Sequence, residues 1–552
     1  MLEFEHALIL LLLIAALAVI TRWLPWPAPI TYLAGGAGAA FLPSFPKLAL
    51  DPGFFFLCFL PPLLFSDGWL MPLREFMKAK RTILLLAIGL VGFTTIAVGL
   101  VAYWLVPGLP LAMAFALGAI VSPTDAVAVG AITGRLKIPA RLSAILQGES
   151  LMNDATGLVA FKFALAAALA GTFSATAMVG QFALLAVGGV GVGLGCGYAI
   201  GKIRDLLRRL QSSDPFIETT LSLMTPYAAY LAAEVIGVSG ILAVVAAGLY
   251  SGWRDPVRMD AETRQTAFAV WDLVVFWLNG VAFVLLGLQS PKIVAAVVGT
   301  HSPVQLVGFT LAVSGAAILA RLAWVFPATY LLALFPGGKK RGTHLSSSSV
   351  MVLGWAGIRG TVTLAAALSI PLFLPSGAPF PGRDIVIFLA FGVILVTLLL
   401  QGTTLDWLIN RLEVRGDEDR PKEELLARRT AVEAGLKTLV AMTDSATTPE
   451  MRAALDSVIE EYERRLAALA AQGETRNRAR RRRSAGHHYR SVALHAERHA
   501  LDDLWRSGAI IDEVHRPLQQ LLDYEESLLR DAPDESENEG ATVGKNENPP
   551  KS

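Results

Sequence analysis

The chain has 552 residues, of which 54% are apolar and only 17% charged, and its mean hydropathy is +0.52. Soluble globular domains carry roughly 25% charged residues, so most of this surface faces lipid, and a formal net charge of +1 gives no global attraction to nucleic acid. The only two cysteines, Cys58 and Cys196, lie in apolar runs, which excludes a disulfide framework and a Cys/His zinc site.

In chain order, apolar segments fall at 5–21, 27–45, 53–72, 82–105, 110–131, 141–170, 177–201, 216–235, 239–253, 267–288, 303–335, 346–372 and 384–410. A membrane-spanning helix needs about 20 apolar residues. The pattern therefore predicts an all-α polytopic membrane protein with about thirteen transmembrane helices. The first carries Glu3 and Glu5 on its flank rather than Lys or Arg, and no small-residue cleavage site follows, so it does not read as a signal peptide. Pro107-Gly108 and Pro336-Gly337 mark turns between spans. Lys and Arg concentrate in alternate short loops: Arg22; Arg74, Lys78, Lys80 and Arg81; Arg135, Lys137 and Arg141; Lys202, Arg204, Arg208 and Arg209; Arg254, Arg258 and Arg264; Lys339, Lys340 and Arg341. The opposite loops hold Lys47, Lys292 and Arg383. Eighteen against three predicts an inner (plasma) membrane protein with its N-terminus outside and its C-terminal tail in the cytoplasm.

Charges within spans are expensive and are functional candidates by default. The fifth span reads Ser122-Pro123-Thr124-Asp125 at its middle. Pro123 removes a backbone donor and clashes with the Ala119 carbonyl, so the helix breaks or kinks there. An acid beside freed carbonyls and the Ser122 and Thr124 hydroxyls suggests a cation site. The plainer reading is an Asp capping the second half-helix. The sixth span reads Gln147-Gly-Glu149-Ser150-Leu-Met-Asn153-Asp154. Glu149 with Asn153, and Ser150 with Asp154, lie four apart and share a helix face about 6 Å along the axis. Two acids there call for a counter-charge, and Arg359, flanked by glycines in a late span, is the expected partner of Glu149. Asp67, after Pro61-Pro62, either lines the same cavity or caps a helix end. Glu234 sits near the outer end of its span, Lys162 is expected to snorkel, and Asp272 and Arg321 are read as structural. Gly189, Gly193, Gly197 and Gly201 allow close helix contact. There is no Walker, Gly-x-Ser-x-Gly or His-Glu-x-x-His motif, which disfavours an ATP-driven pump and a protease; no enzymatic activity and no cofactor are expected.

From Arg411 the chain becomes highly charged, so 1–410 is read as the membrane domain. Residues 411–530 are predicted to form a helical cytosolic regulatory tail, with Leu425–Leu439 and Met451–Leu469 at helical spacing. Arg476, Arg478 and Arg480 to Arg483 form a basic block that is either a solvated linker or a contact for the anionic inner leaflet. His487, His488, His495 and His499 follow it as a candidate pH-sensing segment. Residues 531–552 are acidic, rich in Pro, Asn and Gly, and expected to be disordered.

Ser122-Pro-Thr-Asp125-Ala-Val-Ala, Gly148-Glu-Ser-Leu-Met-Asn153-Asp154, Gly240-Ile-Leu-Ala and Gly357-Ile-Arg-Gly-Thr-Val resemble the NhaP/NHE-type monovalent cation/proton antiporters, in order over residues 1–410. The resemblance implies inverted repeats, broken helices crossing at Asp125 and Thr124, a mobile core, a homodimer and alternating access. It also implies that Asp154 binds Na⁺ (or K⁺) and H⁺ in turn, that Ser150 and Asn153 help to form the site, and that exchange is electroneutral. One residue departs from the pattern: the early acid falls at Asp67 and the expected slot holds Ser66, a shift of about 100° around a helix. The competing readings are a K⁺/H⁺ antiporter, a gated cation channel, and a membrane receptor with a cytosolic sensor tail.

Overall fold

The computed structural model describes residues 2–530 apart from 25, 43–44, 46–50, 126–127, 131–137, 171–174, 211–213, 335–344, 375, 415, 417–419, 444–447, 471–473, 508 and 511. Lys47, Arg135, Lys137, Lys339, Lys340 and Arg341 and the terminal segment 531–552 therefore lie outside the described residues. Among the described residues the structure is helical, and β-pairing is confined to one isolated bridge between Phe373 and Pro379. The chain divides into two compact units, 1–417 and 418–552.

The first unit begins with α1 (Leu2–Ile20) and α2 (Ala28–Ala39). Two short helices, α3 (Pro52–Cys58) and α4 (Leu60–Leu70), fill the third predicted span. Then α5 (Leu73–Leu84) runs through a π turn (Leu85–Leu90) into α6 (Val91–Leu105). After α7 (Leu111–Val121) come α8 (Ala140–Ala170), α9 (Ala175–Arg209), α10 (Pro215–Ile236), α11 (Gly240–Arg258), α12 (Ala261–Val297) and α13 (Pro303–Leu334). The unit closes with α14 (Ser347–Trp355), α15 (Thr361–Leu368) and α16 (Arg383–Arg411). The predicted spans fall on these helices, the fourth across the end of α5, the π turn and α6, and the fifth on α7 with part of its later half outside the described residues. Among the described residues, seven helices are long and apolar enough to cross a bilayer on their own.

Helix ends carry the expected chemistry. Asp51 and Asp260 cap α3 and α12 by accepting from the N–H of Phe54 and Thr263, and Asp214 caps α10 ahead of Pro215. Gly237, at φ 79°, ends α10 in the left-handed region that favours glycine. The glycine repeat of α9 faces α11 so closely that a Cβ on Gly193 would overlap the Ala243 carbonyl. The neighbouring ends of α9, α10 and α11 are tied by a charge network. Arg204 reaches Asp255 (2.8 Å) and Glu218 (3.2 Å), and Arg208 reaches Glu218 (2.7 Å), with Arg204 and Glu218 fully buried.

One large apolar core joins most helices. A second, smaller cluster, Phe55 and Phe59 of the α3–α4 region, Ala282 of α12 and Ala365 of α15, joins it only through the partly buried Phe56, Val281 and Leu285. Phe55 and Phe59 stack with centroids 4.9 Å apart.

The second unit contains α17 (Arg420–Ala441), α18 (Pro449–Ala470), α19 (Glu474–Arg506) and α20 (Asp512–Arg530). Arg498 joins α19 to α20 through Asp523 (2.6 Å) and Glu526 (2.8 Å). The basic block Arg476–Arg483 and His487 and His488 fall on α19, but their side chains lie outside the described residues; His495 and His499 are exposed.

Candidate cation site

The site is built where two helices break. Pro123 cannot donate to the helical ladder, so α7 stops at Val121 and residues 123–125 leave the helix. Ser122 Oγ donates to the Ala119 carbonyl (2.9 Å) that the proline displaces. Helix resumes by 128–130, and Asp125 Oδ1 accepts from the Ala128 N–H (3.2 Å). Asp125 is thus the cap that the plainer reading anticipated, and it also faces the cavity described below. The second break separates α14 from α15 at 356–360. The two breaks meet: the Asp125 N–H donates to the Ile358 carbonyl (2.8 Å), and a Cβ on Gly360 would overlap the Asp125 carboxylate.

Helix α8 braces the first break. Asn153 Nδ2 donates to Thr124 Oγ1 (2.9 Å), and Asn153 Oδ1 accepts from the Thr124 N–H (3.4 Å). Thr124 Oγ1 also lies 3.0 Å from Ser150 Oγ. Both ends of the Asn153 amide hold Thr124, and Asn153 stands behind the cavity rather than in its wall.

Asp67, Asp125 and Asp154 line one cavity of about 40 Å³, together with Thr124 and Ser150. The one-residue offset of Asp67 does not turn it away from the site. Among the described residues no three acid, His or Cys groups are placed to hold a metal ion, so the three carboxylates face one space without forming a tight chelate. Sequence reasoning missed three further polar contributors: Thr361 and Thr363 in the first turn of α15, and Asn279, midway along α12. The signal for Asn279 was a lone amide in an apolar run.

The expected Glu149–Arg359 ion pair is not what the structure contains. Arg321 of α13 engages both oxygens of Glu149, Nη1 on Oε1 and Nη2 on Oε2 (2.9 Å), and all three side chains are buried. Arg321 also donates to the Leu353 carbonyl near the end of α14, from Nη2 (3.0 Å) and Nε (3.3 Å). Arg359 instead donates from Nε to the Val121 carbonyl (2.8 Å) and from Nη1 to the Gly357 carbonyl. The reason is electrostatic. The last carbonyls of a half-helix are unsatisfied and carry partial negative charge. Each break therefore binds its own guanidinium, and only Arg321 lies within reach of Glu149 as well. Glu234, Lys162 and Asp272 are exposed and do not line this cavity.

Crossed half-helices around a cluster of three acids facing one cavity, within an apolar bundle, define a membrane cation/proton antiporter. The chain belongs to the sodium/hydrogen exchanger family: the family described as "Sodium/hydrogen exchanger, transmembrane" matches residues 9–411. It is 40% identical to a sodium, potassium, lithium and rubidium/H⁺ antiporter of Bacillus pumilus (strain SAFR-032), over 79% of this chain and 66% of that protein. It is 37% identical to the antiporter of the same description in Bacillus subtilis (strain 168), over 95% of this chain and 78% of that one. A low-affinity Na⁺/H⁺ antiporter, NhaS1, of Synechocystis is 31% identical over 78% of this chain and 79% of that protein. In fold, the chain is similar to the sodium proton antiporter MjNhaP1 from Methanocaldococcus jannaschii, with a TM-score of 0.57 at 20% identity, covering 75% of this chain and 99% of that chain.

Proposed function

We propose that this protein exchanges Na⁺ for H⁺ across the inner membrane by alternating access, with cation and proton competing for Asp154. The observation that carries this reading is the cavity itself: three carboxylates face one small space where two helices are broken. Asp125 and Asp67 complete the charge around the ion, and Thr124 and Ser150 supply hydroxyl oxygens. Asn153 holds Thr124 in place. Glu149 acts through Arg321, and Arg359 through the end of α7. Because one cation and one proton occupy the same carboxylate in turn, the loaded site carries the same net charge in both directions, which supports electroneutral one-for-one exchange.

Thirteen membrane passages, an outside N-terminus, a cytoplasmic tail and a homodimer complete the proposal. The topology is supported by the loop charges. K⁺ is the second candidate cargo, because the names of the two Bacillus relatives include potassium.

Reconstitution into liposomes with an imposed pH gradient tests the reading. Added Na⁺ should collapse the gradient in the wild type and not in Asp154→Asn, with both proteins eluting as folded material. Wild-type exchange in Asp154→Asn removes that residue from the mechanism. Net current without a proton flux would identify a channel, and no flux of either kind would point to a receptor.

A further inference from the structure

We infer that Asn279 is a cation ligand that sets the preference among monovalent cations, a role that rests on the exchange reading above. The charged and hydroxyl groups of the cavity come from α4, the break after α7, α8 and the start of α15; α12 adds a single polar group, Asn279. It lies in Leu273–Leu288, where the only other polar side-chain atom is the Trp277 indole N–H. Asn279 is part-buried there, and a polar side chain in such a run calls for a polar partner. The ordinary explanation is a hydrogen bond that glues two helices together. Among the described residues, however, the Asn279 side chain bonds to none, whereas Trp271, two turns earlier on α12, does reach Ser222 of α10 (3.1 Å). The amide faces the cavity instead.

The size of the cavity gives that amide a task. At roughly 10–15 Å³ per water, a space of about 40 Å³ holds about three waters, fewer than an ion's hydration shell. A cation entering it must shed water and take protein oxygens in exchange. The Asn279 carbonyl is a hard neutral oxygen of the kind that suits alkali cations. It differs from the carboxylates in one decisive respect: a proton neutralises a carboxylate, but an amide oxygen does not take up a proton at any working pH. Asn279 therefore contributes to holding the cation and not to holding the proton. Removing it weakens one cargo and leaves the other.

The test uses the full chain in proteoliposomes and, in parallel, the rise in Tm caused by Na⁺ in detergent, since an ion that binds only the folded state stabilises it by mass action. Asn279→Ala is expected to raise the Na⁺ KM about tenfold or more, the usual cost of losing a bond to a charged group. It should change the KM ratios among Na⁺, K⁺ and Li⁺, keep the maximal rate within about twofold, and shift the Na⁺-induced rise in Tm to about tenfold higher Na⁺. Asn279→Ser, which restores an oxygen, should recover part of both readouts. Unchanged KM values with a wild-type Tm response overturn the inference and leave Asn279 a packing residue. If Asn279→Ala does not fold, Asn279→Ser decides on the same two readouts. Asp154→Asn, run beside them, separates the two levels. Wild-type exchange there fails the site reading itself, whereas loss of exchange there with wild-type KM values in Asn279→Ala fails this inference alone.

Discussion

At Glu149 one guanidinium takes both carboxylate oxygens and then reaches on to the Leu353 carbonyl near the end of α14. Removing one member of such a buried pair strands the other, at a cost of about 3–5 kcal/mol. Glu149→Gln and Arg321→Ala are each expected to lower thermal stability, and the double variant to lose less than their sum. Arg359→Ala, which frees the end of α7 instead, should add to Glu149→Gln. Strict additivity for the first pair, or strong coupling in the second, would assign the ion pair wrongly. Much of this site could be read from residues alone. Asp125 and Asp154 stood out because charges in apolar spans are rare, and helical spacing put Ser150 beside Asp154. Partner choice could not be read: Arg321 and Arg359 are both single arginines in apolar spans, and periodicity orders residues along one helix without saying which helix lies opposite. The same limit hid Asn279 and left the reach of Asp67 open.

At the scale of helices, hydropathy placed the spans well, because the greasy length of a segment is a local property. It did not show that the third and twelfth spans are each built from two helices, which depends on caps and neighbours. The α9–α11 contact combines both kinds of information. The four-residue glycine repeat announced a close approach, and the structure supplies its partner, the backbone of α11. Gly193→Val should force the two helices apart and cost about 1–3 kcal/mol through overpacking, seen as a lower Tm. Gly195→Ala, where a Cβ would meet nothing within 4 Å, serves as the control. Equal Tm values for the two variants would show that the repeat does not set this contact. The ion network at the same helix ends pins the register that the glycines permit.

Across the whole membrane unit, directional bonds and apolar contacts are unevenly distributed. Arg321 fastens α13 to α8 and α14; Arg359 fastens the second break to α7; and the Arg359 N–H reaches Thr397 of α16 (3.2 Å). Where α12 meets α3 and α15, the contact is the Phe55, Phe59, Ala282 and Ala365 cluster, with no hydrogen bond among these side chains. A hydrogen-bonded contact has one register, whereas a greasy one can shear by an ångström or two while keeping most of its dispersion energy. The slip plane of the transport cycle is therefore expected to run along α12. In a chain carrying Cys58→Ser and Cys196→Ser, cysteines substituted at Ala282 and Ala365 and joined by oxidation should stop exchange, and reduction should restore it. Undiminished exchange with the bond formed would place the slip elsewhere. A seam of this kind breaks few bonds at each passage, so turnover frequency should depend on how readily it wets and dries, and should respond to side-chain bulk along α12 more than to salt.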